Sequence, residues 1–373
     1  MALRKKRNFK GLALPSQDIQ SIQPPETQTV TKKQPNKETT LKRRGCDFNV
    51  LLRDNRNEPD NSDIYTNYLN NYTGNNQNNN QYANNERLGK FEIVINPDDL
   101  EILRDLGSGA SGAVSKVLHK SSNTVMAMKV VRIDASIRQQ VLKELQILYE
   151  CNSPYIVSFY GAFPQGNTIK ICLEYMDLGS FDSIYRKSGA IPTNVLGLLT
   201  HSVLQGLTYL YNTHRIMHRD IKPSNILINS SGYIKICDFG ISKEMVNSIA
   251  NTFVGTASYM SPERMQGSSY TVKSDVWSLG TTLMELALGY YPFRPEGENM
   301  SIFEMLDYIA NEKLPSLPVD RFLRDFVEFV DLCLIKDPEG RPTPVMLIDH
   351  PFVLRYSRRR VDISGWLKSI EHS

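Results

Sequence analysis

With 373 residues, the chain is long enough to bury a sizeable core and to hold two or three structural units. A net charge of only +3 excludes a nucleic-acid binder acting through the charge of the whole molecule, and five cysteines, odd in number and without metal-ligand spacing, argue for reduced thiols. No stretch approaches the roughly 18 apolar residues of a membrane span, and neither end carries a secretory, myristoylation or prenylation pattern. A cytoplasmic protein is expected, with shuttling to the nucleus left open.

Residues 1–92 predict a disordered tail. They are rich in Asn, Gln, Lys, Thr and Pro, and residues 67–85 are dominated by Asn, so they cannot bury enough apolar surface to offset chain entropy. The charge is uneven: residues 1–45 hold eleven Lys/Arg against three Asp/Glu, which leaves the rest of the chain net acidic. Arg4-Lys5-Lys6-Arg7 is followed by Leu12-Ala13-Leu14 and Pro15. An extended segment puts Leu12 and Leu14 on one side by its period of two, while the basic run can pair with an acidic patch. Lys42-Arg43-Arg44 with Phe48 and Val50 is a second, poorer candidate of the same kind.

Regular structure is expected from about Ile93. Gly107-Ser108-Gly109-Ala110-Ser111-Gly112-Ala113-Val114 lies between strand-like segments, and its glycines let backbone N–H groups approach phosphate oxygens. A strand rather than a helix follows, which favours a phosphate-covering hairpin over a dinucleotide-binding turn. In Val125-Met126-Ala127-Met128-Lys129-Val130-Val131 one lysine interrupts an apolar strand, and a buried ammonium needs partners. The next helix, expected over Ala135–Glu150, carries Ile137, Val141 and Leu148 on an inward stripe, with Glu144 on the same stripe. Glu144 therefore pairs with Lys129 in this reading, and Lys129 serves a nucleotide's α/β-phosphates. Cys151–Phe163 and Thr168–Leu173 predict strands, and Val195, Leu199, Val203, Leu207 and Leu210 mark a long amphipathic helix.

The most informative stretch is Ile216–Glu263. It opens Ile216-Met217-His218-Arg219-Asp220-Ile221-Lys222-Pro223-Ser224-Asn225, passes Asp238-Phe239-Gly240, and closes Ser261-Pro262-Glu263. Ile226, Ile228, Ile234 and Ile236 alternate on both sides of Asn229-Ser230-Ser231-Gly232, which predicts a short hairpin bringing Asp220 and Asn225 to Asp238. Metal-assisted phosphoryl transfer needs this set. Asp238 and the Asn225 amide oxygen are hard ligands for divalent cations, Asp220 accepts a hydroxyl proton, and Lys222 reaches the transferred phosphate. Cys237 is expected as a small buried residue.

These motifs, in this order, resemble the protein-kinase family, with Lys222 looking like the serine/threonine type of catalytic loop. Ser248-Ile249-Ala250-Asn251-Thr252, joined to Phe253-Val254-Gly255-Thr256-Ala257-Ser258-Tyr259-Met260-Ser261-Pro262-Glu263-Arg264, resembles the activation loop of MAP kinase kinases. The Arg4–Leu14 segment resembles their docking motif for substrate MAP kinases, and the Asn-rich tail looks like a fungal member of the mating or filamentation type. The resemblance covers about residues 97–356. It implies an α+β bilobal fold: a β-rich N-lobe with one helix over 93–173, a hinge over 174–179, a mostly helical C-lobe over 180–356, and a C-terminal tail over 357–373.

The resemblance also implies ATP and Mg2+ as cofactors. ATP would be held by Leu106, Gly107 to Val114, Ala127, Lys129, Glu144 and the hinge backbone at Glu174 and Met176, behind a gatekeeper Leu173. Asn225 and Asp238 would hold metal, and Cys237 would line the pocket. Arg219 would meet phosphates on Ser248 and Thr252, Thr256 would contact Asp220, Asp275 would anchor the catalytic loop, and Arg341 would pair with Glu263. The implied reaction moves the γ-phosphoryl group to Thr and Tyr of a T-x-Y loop. The implied partners are a MAP kinase substrate, an upstream MAP kinase kinase kinase and a scaffold. A different serine/threonine kinase of the cascade, or a catalytically silent scaffold, is the alternative. All of Lys129, Asp220, Asn225 and Asp238 are present, which disfavours the silent one.

Overall fold

The computed structural model of the chain describes residues 95–109, 112–133, 138–238, 258–293, 301–357, 361–363 and 365–366. Five strands, β1 (Leu100–Gly109), β2 (Gly112–His119), β3 (Thr124–Arg132), β4 (Phe159–Gln165) and β5 (Thr168–Glu174), form one sheet. Its order is β1-β2-β3-β5-β4 and its pairs are antiparallel. Helix α1 (Arg138–Glu150) packs on it. In β3 the period of two separates the faces: Met126 and Met128 join Val117, Phe163 and Cys172 in one cluster. Ala127, Lys129 and Val131 point to the other side, where Val141 and Leu145 of α1 meet Ile169 and Ile171 of β5. Lys129 pairs across the ladder with Val114 of β2 and Ile171 of β5. The strand pairing thus sets a lysine on the helix-covered face.

One expected element differs from what forms, and a second differs in its buried stripe. The strand expected over Cys151–Phe163 begins only at Phe159. Pro154 cannot donate to a ladder, and Tyr155–Val157 bond instead to Ile236, which donates to the Tyr155 carbonyl at 2.9 Å and accepts the Val157 N–H at 3.1 Å. The helix expected from Ala135 is described from Arg138, residues 134–137 lying outside the described set, and its buried stripe includes Leu145, which the Ile137/Val141/Leu148 pattern passed over.

The larger, helical part comprises α2 (Phe181–Ser188), α3 (Thr193–His214), the hairpin β6 (Ile226–Ile228) and β7 (Ile234–Ile236), α4 (Pro262–Met265), α5 (Val272–Leu288), α6 (Ile302–Asn311), α7 (Arg324–Cys333), α8 (Pro344–Ile348) and α9 (Pro351–Ser357). The stripe Val195, Leu199, Val203, Leu207 and Leu210 of α3 is buried, each side chain contributing roughly 1.5–3 kcal/mol as an upper figure. Gly197 on the same helix lets α9 approach, since a Cβ there would lie 2.1 Å from Tyr356 Cδ2. Helix α5 starts with a capping box, Thr271 with Ser274, and is buried on all sides. It is the post against which α3 and α7 pack.

Candidate active site

The glycine-rich segment runs from the end of β1 into the start of β2. At Gly112 φ is +120, and a Cβ would meet the Val130 carbonyl oxygen at 2.1 Å, so only glycine fits there. Leu106 at the base of this segment is exposed, and Val114 is half-buried beside Lys129. Ala110 and Ser111 lie outside the described residues.

Below it, the catalytic loop leaves α3 through Arg215, whose φ of +57 ends the helix in the left-handed region. Two further residues of this site share that backbone, Arg219 with φ +68 and Asp238 with φ +56. L residues hold it only where their surroundings over-determine it. Around Arg219 the surroundings include bonds to the backbone of its own loop. Asp275 of α5 accepts the His218 N–H on Oδ2 and the Arg219 N–H on Oδ1, both at 2.8 Å. His218 is sealed in: its Nδ1 takes the Asp220 N–H at 3.3 Å and its Nε2 lies 2.9 Å from the Cys237 carbonyl oxygen. A neutral ring with its proton on Nε2 satisfies both contacts, and burial keeps the imidazole below its ordinary 6.5. Burial likewise raises the Asp275 carboxyl, an effect that its partners oppose only in part. His218 therefore ties the segment carrying Asp220 to the residue before Asp238.

Around Asp220 the expected residues converge. Asn225 donates its Nδ2 to Asp220 Oδ2 at 2.6 Å and to the Asp220 carbonyl at 2.8 Å, which turns the amide oxygen the other way. Lys222 Nζ stands 3.1 Å from the same Oδ2. The Cys237 N–H donates to the Asn225 carbonyl at 3.0 Å, so the hairpin does bring Asn225 to the Asp238 side. Cys237 is half-buried and its thiol is pushed well up by burial.

Lys129 Nζ reaches Asp238 Oδ1 at 2.6 Å. Burial works to lower this ammonium, but the Asp238 carboxylate outweighs it and Glu144 adds to the field, so Lys129 sits above its ordinary 10.5. Glu144 is half-buried on α1. The expected pairing of Lys129 with Glu144 is thus electrostatic support around a direct bond to Asp238. At the hinge the Glu174 side chain is engaged behind the linker, where its Oε2 accepts from Lys235 Nζ of β7 at 2.6 Å and from the Ser158 N–H at 3.0 Å. The Glu174 N–H donates to the Ser158 carbonyl at 2.8 Å, and the Met176 carbonyl accepts the Gly179 N–H at 3.0 Å.

Sequence reasoning passed over Lys235, although it bears the same mark as Lys129, a lysine between apolar strand residues. It also passed over Glu285, buried in α5, which accepts from the hydroxyls of Tyr185 at 2.6 Å and Tyr259 at 2.5 Å. Arg341 grips Glu263 through two bonds of 2.8 and 3.0 Å. The docking segment from Arg4 to Leu14, and Phe239, Gly240, Ser248, Thr252 and Thr256, lie outside the described residues. Among the described residues no group of three or more His, Cys, Asp and Glu forms a metal cage. One carboxylate, Asp238, and one amide oxygen, from Asn225, fit Mg2+ that takes its other ligands from phosphates and water. Among these residues, too, no helix is long and apolar enough to cross a membrane.

A five-stranded lobe with one helix, a helical lobe, and a lysine, two aspartates and an asparagine between them define a protein kinase catalytic domain. The family model of the protein kinase domain matches residues 100–353. The chain is 42% identical to a dual specificity protein kinase, FUZ7, of Mycosarcoma maydis, over 98% of this chain and 97% of that one. It is 47% identical to the dual specificity mitogen-activated protein kinase kinase dSOR1 of Drosophila melanogaster (76% and 77%), and 50% identical to the mitogen-activated protein kinase kinase MST7 of Pyricularia oryzae (74% and 70%). The chain belongs to the dual-specificity MAP kinase kinases, a branch of the protein kinases.

Proposed function

We propose that this kinase phosphorylates both the Thr and the Tyr of the T-x-Y loop of a MAP kinase. The likeness to dual-specificity MAP kinase kinases supports the Thr and Tyr acceptors, and the bonding of Asp220 to Asn225 and Lys222, within a site where Lys129 meets Asp238, supports phosphoryl transfer itself. Mg2+–ATP, when bound, supplies the γ-phosphoryl group. Asn225 and Lys222 hold one oxygen of Asp220 so that the carboxylate is oriented toward the acceptor hydroxyl. As the acceptor oxygen bonds to the γ-phosphorus and the bond to the β-phosphate oxygen breaks, Asp220 takes the hydroxyl proton. The loose transition state lets this proton leave late, so orientation counts for more than basicity. Lys129 would exchange its bond to Asp238 for the α/β-phosphates, and Asp238, together with the Asn225 amide oxygen, would hold Mg2+. The glycine-rich segment, with Leu106 and Ala127, covers the nucleotide, and the Glu174 carbonyl and Met176 N–H meet the adenine edge.

Phosphates of about −1.5 to −2 charge on Ser248 and Thr252, added by an upstream kinase, switch the enzyme on by pairing with Arg219. The Arg4–Arg7 run with Leu12 and Leu14 holds the substrate, and a scaffold gathers the cascade. The test is incubation of S248E/T252E protein and Mg2+–ATP with catalytically inactive MAP kinases, followed by mass-spectrometric mapping. Phosphate on both Thr and Tyr of one loop is expected. Phosphate confined to Ser/Thr of other proteins would move the assignment to another kinase of the cascade. Unchanged MAP kinase affinity after alanine at 4–7 and serine at 12 and 14 would remove the docking reading.

A further inference from the structure

The reaction needs Asp220 in place, and the residue before it is strained. Arg219 has φ +68, so something must hold it. One hold is on its backbone, through the Arg219 N–H donated to Asp275 Oδ1 at 2.8 Å. The other is on its side chain. The Arg219 guanidinium lies over the ring of Tyr270, 5.5 Å from the centroid, and the Tyr270 hydroxyl donates to the same Oδ1 of Asp275. Tyr270 therefore reaches Arg219 twice, directly through its ring and indirectly through the shared carboxylate oxygen.

A second guanidinium shares this ring. Arg264 of α4 lies over it at 4.6 Å, while the carboxylate of its neighbour Glu263 is held by Arg341. Cation–ring contacts of this kind strengthen where water is displaced, and Tyr270 is only partly exposed. Helix α4 follows directly on Ser258–Ser261, whose Tyr259 is fixed to Glu285 and whose Ser258 carbonyl accepts from Tyr291 at 2.6 Å. The ring thus stands in contact with both the catalytic loop and the start of the helix beyond it.

We propose that Tyr270 is a positioning residue for phosphoryl transfer. Stacked with Arg219 and Arg264 and bonded to Asp275, it keeps Arg219 in its left-handed conformation and so sets the placement of Asp220. Through Arg264 it makes that placement depend on where α4 lies. The hinge and Lys129, which serve the nucleotide, are not among its contacts, so its loss is read in turnover and not in nucleotide affinity.

The test compares the full chain with its Tyr270→Phe, Tyr270→Leu and Arg264→Met variants. The readouts are kcat and KM for ATP, followed as ADP formation with and without an inactive MAP kinase as acceptor, together with thermal melting. Tyr270→Leu removes ring and hydroxyl, and kcat is expected to fall on the order of 10- to 100-fold with KM for ATP unchanged. Tyr270→Phe returns the ring and recovers part of this. Arg264→Met costs about threefold in kcat, again without a change in KM. A folded Tyr270→Leu protein with kcat within about twofold of the parent, or a KM for ATP that rises in step with the fall in kcat, overturns the proposal. Should Tyr270→Leu not fold, parental kcat in both remaining variants overturns it. Absence of transfer to the MAP kinase with ADP formation intact would count against the acceptor reading only, because the variants are still ranked on ADP.

Discussion

Two charge pairs in this molecule look alike in a list of contacts and differ in kind. Arg341 and Glu263 are sealed, with side-chain exposures of 0% and 7%. Each N–H of the guanidinium has an acceptor: two go to Glu263, and the others to the carbonyls of Ile335, Lys273 and Lys336 at 2.8, 2.9 and 3.1 Å. The guanidinium also lies over Trp277 at 5.0 Å. Lys129 and Asp238 are joined by one bond of 2.6 Å, and 31% of the Asp238 side chain is exposed. A pair whose hydrogen-bonding capacity is filled from within holds the fold together. A pair with a buried cation and a part-exposed carboxylate is placed where an incoming phosphate or metal can reach it.

The largest effect should come from opening the second pair. Asp238→Asn removes a hard metal ligand and the counter-charge of Lys129, and transfer is expected to fall about 10³-fold or more. The protein should remain folded by circular dichroism and should still bind its partner. If the variant turned over at a tenth of the parental rate or better, Asp238 would belong with the structural pairs. The sealed pair should fail in the other currency. Arg341→Met leaves the Glu263 charge buried and is expected to cost about 3–5 kcal/mol in urea unfolding. Adding Glu263→Gln should restore part of that loss.

The two pairs should also separate by pH. Burial tends to raise the Glu263 carboxyl, but two bonds from Arg341 overcome this and hold it below its ordinary 4.5. A depressed carboxyl contributes stability that is complete above 4.5 and is lost as pH falls through the folded value. Lys129 is raised above 10.5, so its contribution is complete below 10.5 and is lost as pH rises through the folded value. Asp275 and Glu285, both raised by burial, work against the acid loss. The expectation is therefore placed on a difference: the parent minus Arg341→Met, measured as urea midpoints, should shrink as pH falls, beginning above Glu263's ordinary 4.5 because protonation relieves the unpartnered carboxyl of the variant, and stay level on the alkaline side.

Much of this was legible in the sequence because it repeats at short range. The glycines at 107, 109 and 112, the lysine in an apolar strand, and the run from His218 to Asn225 are local patterns, and Lys129 does sit on the strand its neighbours implied. What escaped depends on contacts far apart in sequence. Nothing local marks Tyr270 as the platform for Arg219, or Glu285 as the acceptor for Tyr185 and Tyr259 from 100 and 26 residues away. The strand expected from Cys151 failed for the same reason. Its apolar residues bond to Ile236 of the other lobe, a competitor that no window around Tyr155 contains. Asp238 was assigned to metal and Lys129 to Glu144, each alone, because the bond between them closes a loop of 109 residues.

Smaller effects sharpen the same contrast. Tyr259→Phe removes one of two hydroxyls on buried Glu285, and a loss on the order of 1.5 kcal/mol is expected in unfolding. The smallest should come from a third pair, Arg324 and Glu328 of α7, one helical turn apart at 2.8 Å with side-chain exposures of 90% and 52%. Its distance matches that of the Arg341–Glu263 bond. Water screens both partners, however, and holding two long side chains in one geometry costs rotamer freedom. Arg324→Ala is expected to shift stability by less than about 0.5 kcal/mol and to leave turnover alone. A loss as large as that of Arg341→Met would mean that bond length governs these pairs. The expected near-silence means that burial does, and Lys129 then stands out as a buried cation whose partner carboxylate is part-exposed.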